Sequence, residues 1–71
     1  MFYVLTQSKT SIVPIDKQVY VCSVFGKDSY TIETDAFELG AYKNKERAYE
    51  VLKAMADRMA LNCISYEMPN E

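Results

Sequence analysis

Histidine is absent from the 71-residue sequence, which also contains only two cysteines and two glycines. Without histidine the chain lacks the usual general base near neutral pH and every Ser-His or Cys-His nucleophile pair. Cys22 and Cys63 cannot by themselves supply the Cys and His ligands of a structural zinc site. Gly26 and Gly40 stand too far apart for a phosphate-binding glycine-rich loop. These absences predict a non-enzymatic protein with no catalytic residue, no metal site and no cofactor.

An excess of charge of one sign is also lacking, because eight Lys and Arg residues stand against ten Asp and Glu residues, for a net charge of -2. Nucleic acid and anionic membrane surfaces attract proteins with a basic field, which this composition does not provide. No apolar run approaches the roughly 18 residues of a transmembrane helix, and the first residues lack the basic start of a secretory signal. We therefore expect a cytoplasmic protein that binds neither nucleic acid nor membranes.

The two cysteines are expected to be free thiols, because a reducing cytoplasm disfavours disulfides. Cys22 lies inside an apolar segment, which predicts a buried side chain that resists thiol reagents. Cys63 follows the predicted helix, so no helix N-terminus is available to activate it. Both thiols are therefore interpreted as structural rather than nucleophilic.

Three carboxylates lie close together in the sequence, at Glu33, Asp35 and Glu38. Such a group could form a loose cation site or an acid/base pair. The spacing does not match a calcium-binding loop, in which oxygen ligands alternate before a final bidentate Glu. A solvated acidic turn is therefore the favoured interpretation.

One long helix is the clearest element, because apolar residues recur at steps of three and four from Ala48 to Met59. Asn44 is the predicted N-cap, and Asn62 can adopt the left-handed conformation that ends a helix. The opposite side of this helix carries charges of both signs and is expected to face solvent. The apolar stripe is formed by Ala48, Val51, Leu52, Met55, Ala56 and Met59.

Segments rich in β-branched and aromatic residues predict the strands. The first is apolar on both faces, which is typical of a central strand, and Pro14 limits the second to a short or edge position. Residues 37–42 are ambiguous between a short strand and a packed connection, and we predict a connection because Gly40 weakens a ladder. The strands are predicted at 2–7, 11–13, 18–25, 29–34 and 63–67.

These elements predict an α+β protein with the order β-β-β-β-α-β, in a single domain that spans residues 1–71. We expect a curved antiparallel sheet of about four to five strands with the long helix packed on one face. The other face must then meet water or another molecule. A chain this short has a small core, and with no metal or disulfide it is expected to gain stability by forming a homo-oligomer, most simply a dimer.

Tyrosine is the most suggestive residue type, because its ring offers a large rigid contact area and its hydroxyl needs a partner when buried. The structural interpretation is that the tyrosines fill the core and its rim. The functional interpretation is that they recognise another protein, because interface cores are enriched in Tyr, Phe and Met. The candidate interface residues are Tyr3, Tyr20, Tyr30, Tyr42 and Tyr66.

Short motifs spread over most of the chain resemble small uncharacterised proteins that are encoded by Gram-positive bacteria and their phages. The motifs are the opening 2–9 segment, Leu39-Gly40-Ala41-Tyr42, the helical residues 45–48 and 51–52, and the closing 66–69 segment. The resemblance implies a small accessory protein, often of a mobile element, and it implies no catalytic residue. Proteins of this kind often occupy a host protein or sequester a signalling molecule.

Two hypotheses follow for the function. The first is a non-enzymatic interaction protein that binds and blocks a bacterial or host protein through the uncovered sheet face. The second is a small-molecule binder that holds a nucleotide-type ligand in a pocket at an oligomer seam, with tyrosines and a few basic residues.

Overall fold

The computed structural model describes residues 2–23 and 29–71, which form an α+β fold with six strands in two sheets and one 16-residue helix. The α+β prediction is confirmed, although the strands are divided between two open sheets rather than gathered in one. The elements are β1 (Phe2–Leu5), β2 (Ile12–Ile15), β3 (Tyr20–Ser23), β4 (Tyr30–Glu33), β5 (Glu38–Tyr42), α1 (Lys45–Ala60) and β6 (Ser65–Glu67).

The first sheet has the strand order β2-β1-β6. β1 and β2 form an antiparallel hairpin that aligns Phe2 with Ile15, whereas β1 and β6 are parallel and align Tyr3 with Ser65. The expected central position of β1 is confirmed. β2 continues past its predicted end because Pro14 lies on the outer strand of the sheet, where a missing N–H breaks no ladder.

The second sheet has the strand order β3-β4-β5 and is entirely antiparallel. The prediction of a connection at residues 37–42 was wrong, because residues 38–42 form β5 and Gly40 aligns with Ile32. Gly40 serves a close approach between elements: a Cβ there would lie 3.2 Å from Gln7 Cβ and 3.3 Å from Met68 Cε. The glycine that argued against a strand is therefore what lets this strand pack.

Gln7 joins the two sheets. Its backbone N–H donates to the carbonyl of Leu39 at 2.8 Å. Its side-chain Oε1 accepts from the Ala41 N–H at 2.9 Å, and its Nε2 donates to the Ala41 carbonyl at 2.9 Å. The same Nε2 lies 2.8 Å from the carbonyl oxygen of Asn70 and 3.3 Å from that of Pro69. The side-chain amide thus pairs with β5 as a neighbouring strand would and also holds the C-terminal segment.

Helix α1 begins after Asn44, as predicted, and the Asn44 Oδ1 accepts from the backbone N–H groups of Glu46 at 2.7 Å and Arg47 at 3.3 Å. At the other end, Asn62 has a φ of 60°, the left-handed conformation expected of it. Among the described residues, no helix is long and apolar enough to cross a membrane.

The core is one cluster of side chains from both sheets and from α1. Ala48, Val51 and Met55 supply the buried part of the helix, whereas Ala56 and Met59 at the end of the predicted stripe are exposed. The buried apolar residues are Phe2, Val4, Val13, Ile15, Ile32, Leu39, Tyr42, Ala48, Val51, Met55 and Met68.

Several strand limits differ from the predicted ones. β1 ends at Leu5 rather than at residue 7, because Gln7 has left the hairpin ladder to bind β5. β3 covers residues 20–23 of the predicted 18–25 strand, and residues 24 and 25 lie outside the described residues. β4 and β6 are each shorter than predicted by one or two residues at their ends.

Met55→Asp is expected to destabilise the fold strongly, because it places a charge at a helix position that is almost completely buried. The loss of unfolding free energy should be about 3 kcal/mol or more, measured by urea denaturation. Glu50→Ala on the exposed side is the control and should change stability by about 0.5 kcal/mol or less, since its contact with Arg47 is a long, exposed ion pair. Equal stabilities of the two variants would contradict the assigned core.

Gln7→Glu is expected to destabilise the protein at pH 7, because a carboxylate keeps the acceptor for Ala41 N–H but faces three carbonyl oxygens without a proton to donate. Relative to wild type the loss should be about 1 to 3 kcal/mol. The neighbouring carbonyls favour the protonated acid, so the difference from wild type should shrink as the pH falls toward 4. Urea denaturation at both pH values tests this, with Gln7→Ala as the variant whose loss stays constant.

Candidate functional site

The face of the first sheet that points away from the core is the main candidate site, and we call it the outer face. Side chains alternate along β1, so that Phe2 and Val4 are buried while Tyr3 and Leu5 lie on the other side. Two residues of β2 and two of β6 are aligned with Tyr3 and Leu5 and share their side of the sheet. The outer face consists of Tyr3, Leu5, Ile12, Pro14, Ser65 and Glu67.

A shallow groove of about 510 Å³ runs across the outer face, along Tyr3, Leu5 and Ile12. Ile12 is 68% exposed and Tyr3 is 41% exposed, so a large aliphatic and a large aromatic side chain meet solvent beside each other. No described element packs over them. Neighbouring exposed apolar side chains of this kind are typical of an interaction surface.

An ion pair borders the outer face. Lys9, in the turn between β1 and β2, reaches Glu67 of β6 with an Nζ to Oε2 distance of 2.9 Å. Lys9 has a φ of 62°, which lets the hairpin turn tightly. The arrangement of an apolar centre and a charged border resembles the layout of protein interfaces.

The structure does not bring the five candidate tyrosines together. Tyr3 lies on the outer face. Tyr66 borders the same groove, but it aligns with the fully buried Val4, which places its ring on the core side of the sheet. Burial raises the pKa of Tyr66, and the nearby Arg47 and Arg58 oppose that rise.

Tyr42 is a core residue with only 3% of its surface exposed, so it offers a partner no more than the edge that lines one depression. Its hydroxyl donates to the carbonyl of Pro69 at 2.8 Å. Burial raises the pKa of Tyr42 to about 12, with a smaller contribution from Tyr66.

The two remaining tyrosines lie in the second sheet. Desolvation raises the pKa of Tyr20, and the negative charges of Glu33 and Asp35 add to the rise. Tyr30 lines a depression of about 300 Å³ beside β3, together with Tyr49 of the helix. Sequence reasoning did not single out Ile12 or Tyr49 as surface residues; their exposure depends on which strand face and which helix side the packing leaves open.

A second depression, of about 470 Å³, lies beside the start of α1 and combines Tyr42, Lys43 and Arg47. Two cations border this depression, whereas the buried Tyr42 contributes only a small exposed edge to it. Some of the local donors are already engaged, because Asn44 accepts from the first helical N–H groups and Arg47 Nε donates to the backbone oxygen of Glu71 at 2.7 Å.

Both cysteines are free. The prediction that Cys22 is buried was wrong, because its side chain lies on the exposed side of β3. The side of β3 that faces the core carries Val21 instead, and Val21 packs against the core cluster.

The acidic group does not form a cation site within residues 2–23 and 29–71, where no cluster of three or more metal-binding side chains occurs. Glu33 instead accepts a hydrogen bond from the Thr31 hydroxyl at 2.7 Å. Asp35 and Glu38 are both exposed, in agreement with a solvated acidic turn.

The fold and the outer face thus describe a small α+β chain with an open, largely apolar sheet surface. No protein family model, no curated protein and no solved structure matches the chain.

The buried phenol of Tyr42 predicts a stability loss at high pH. Its folded-state pKa lies above the value of about 10 in an unfolded chain, so the stability tied to the neutral phenol is complete below pH 10 and declines as the pH rises toward 12. The stability advantage of wild type over Tyr42→Phe should therefore fall between pH 10 and pH 12, as measured by urea denaturation. A constant difference across this range would contradict the burial of the ionisable hydroxyl.

Proposed function

We propose that the protein is a non-enzymatic interaction protein that binds another protein through its outer face and blocks it. The observation that carries this proposal is the exposure of Tyr3 and Ile12, on either side of the half-buried Leu5, on a sheet face that no described element covers. An apolar centre of this kind, bordered by the pair of Lys9 and Glu67, suits a protein partner better than a polyanion.

The proposed target is a bacterial protein in the cytoplasm. Its support is the resemblance of the chain to small accessory proteins of Gram-positive bacteria and phages, together with a net charge of -2, which does not favour nucleic acid. A protein that acts by occupancy needs no catalytic group, which agrees with the lack of histidine.

Self-association is part of the proposal. A 71-residue chain has a small core and gains stability from any partner that binds only the folded form. A homodimer is the simplest closed arrangement.

The second candidate function is binding of a nucleotide-type ligand in a pocket at an oligomer seam. Its support is the depression that combines Tyr42, Lys43 and Arg47. It is the weaker candidate because Arg47 Nε and the first helical N–H groups already have partners. Calorimetric titration with ADP tests it: binding that disappears in Lys43→Ala would favour this function over protein binding.

Ile12→Lys is expected to weaken target binding, because it places a charge in the apolar centre of the outer face. Leu61→Lys is the matched control, since Leu61 is 73% exposed against 68% for Ile12 and does not line the groove. Affinity purification of the tagged wild type from a Gram-positive host identifies the candidate target by mass spectrometry.

The purified target is then titrated with wild type and both variants. We expect Ile12→Lys to weaken binding by about tenfold or more and Leu61→Lys to leave it within about threefold. Equal binding by all three proteins would show that the outer face is not the binding surface.

A further inference from the structure

The free edge of β3 differs from the other strand edges of the two sheets. An uncovered edge presents backbone N–H and C=O groups that can pair with another strand. Sheet proteins usually block their outermost edges with proline, with charged groups or with another segment. The four outermost strands here are β2 and β6 in the first sheet and β3 and β5 in the second.

Three of these strands carry a block. β5 is paired with the amide of Gln7, which occupies both the N–H and the C=O of Ala41. In β6 the carbonyl of Ser65 accepts from Arg58 Nη2 at 3.2 Å, which sets a charged group beside that strand. β2 contains the exposed Pro14, which has no N–H to donate.

Among the described residues, β3 carries neither a proline nor a charged side chain that bonds to its backbone, although Lys45 of α1 lines the depression beside Val21 and Ser23. Its sequence from Tyr20 to Ser23 contains no proline and no charged residue. Within the described residues its backbone pairs with β4 alone, and no segment other than β4 forms a backbone hydrogen bond with it. As far as the described residues go, this edge can therefore accept a further strand.

Tyrosines flank this edge on both sides of the sheet. Tyr20 and the exposed Cys22 lie on one side, while Tyr30 and Tyr49 line the depression on the helix side beside Val21. A strand added here would also cover these rings, and buried tyrosines contribute large contact areas. The interface would thus extend beyond the backbone ladder of a four-residue strand.

We propose that two copies of the chain pair antiparallel through β3, so that the second sheets of both copies form one continuous six-stranded sheet. A second copy suits this edge because a two-fold axis normal to the sheet places β3 against itself. The uncharged β3 sequence then creates no like-charge contact. This inference rests on the self-association included in the proposed function, but it does not depend on target binding by the outer face.

Cys22→Lys tests the proposal, because it adds one charge to each copy at the centre of the paired edge while leaving an exposed position exposed. Ile12→Lys is the control on the outer face. Light scattering after size exclusion, under reducing conditions and over a hundredfold range of concentration, measures the mass. Circular dichroism checks that both variants are folded.

We expect wild type and Ile12→Lys to reach twice the chain mass of 8.2 kDa, and Cys22→Lys to stay at 8.2 kDa over the whole range. A dimer that survives Cys22→Lys but dissociates in Ile12→Lys would overturn the β3 pairing and assign self-association to the outer face. Wild type that remains at 8.2 kDa throughout would overturn both the pairing and the proposed self-association. Target binding by the outer face is tested separately, by the titration of the purified target.

Disulfide trapping gives a second measurement. The two symmetric antiparallel registers centred on β3 set Cys22 opposite Cys22 or Val21 opposite Val21 of the other copy. Opposite residues have Cα atoms about 4.5 to 5.5 Å apart, which suits a disulfide. The variants are Cys63→Ala, which keeps Cys22, and Val21→Cys combined with Cys22→Ser and Cys63→Ala.

One of these two variants should form a covalent dimer in mild oxidant, whereas Cys22→Ser, which keeps Cys63 alone, should not. Failure of both to cross-link at concentrations where wild type is dimeric would overturn the β3 pairing. Cross-linking through Cys63 alone at the same rate would also overturn it.

Discussion

The side-chain amide of Gln7 is the interaction on which the relation between the two sheets depends. A primary amide presents one acceptor and two donor hydrogens in a plane, which is the pattern that a peptide group offers to a strand. Placed beside Ala41, it satisfies both backbone groups of that residue, and the Leu39 carbonyl is satisfied by Gln7's own N–H. The same amide reaches the carbonyl of Asn70, so three separate parts of the chain meet at one side chain.

This contact requires the two sheets to approach closely. Gly40 is the residue that permits it, because any Cβ there would press against Gln7, Met68 and the hydroxyl of Tyr42. With the sheets held at this point, helix α1 contributes Ala48, Val51 and Met55 to the one core they share. No element of the described part of the chain covers the opposite side of the first sheet, and that side is the outer face.

The tyrosines have different roles in this structure because packing gives each of them different surroundings. Tyr42 is enclosed and bonds to the Pro69 carbonyl, whereas Tyr3 presents its ring to solvent on the outer face. Tyr20 lies near acidic side chains on the second sheet. A count of tyrosines therefore indicates a capacity for recognition, and the fold decides which of them are at the surface.

The sequence by itself determined the elements whose signals are local. The apolar steps of α1, the Asn44 cap and the left-handed Asn62 involve neighbours a few residues apart, and the α+β class followed from the two periodicities. Tertiary structure alone decided the rest: that Gly40 belongs to a strand whose neighbouring residues Leu39 and Ala41 bond to Gln7, that β6 runs parallel to β1, and that Cys22 is exposed. It also decided that Ile12 is exposed on the outer face. These outcomes depend on contacts between residues far apart in the sequence. The local sequence around a residue does not specify which distant residue packs against it.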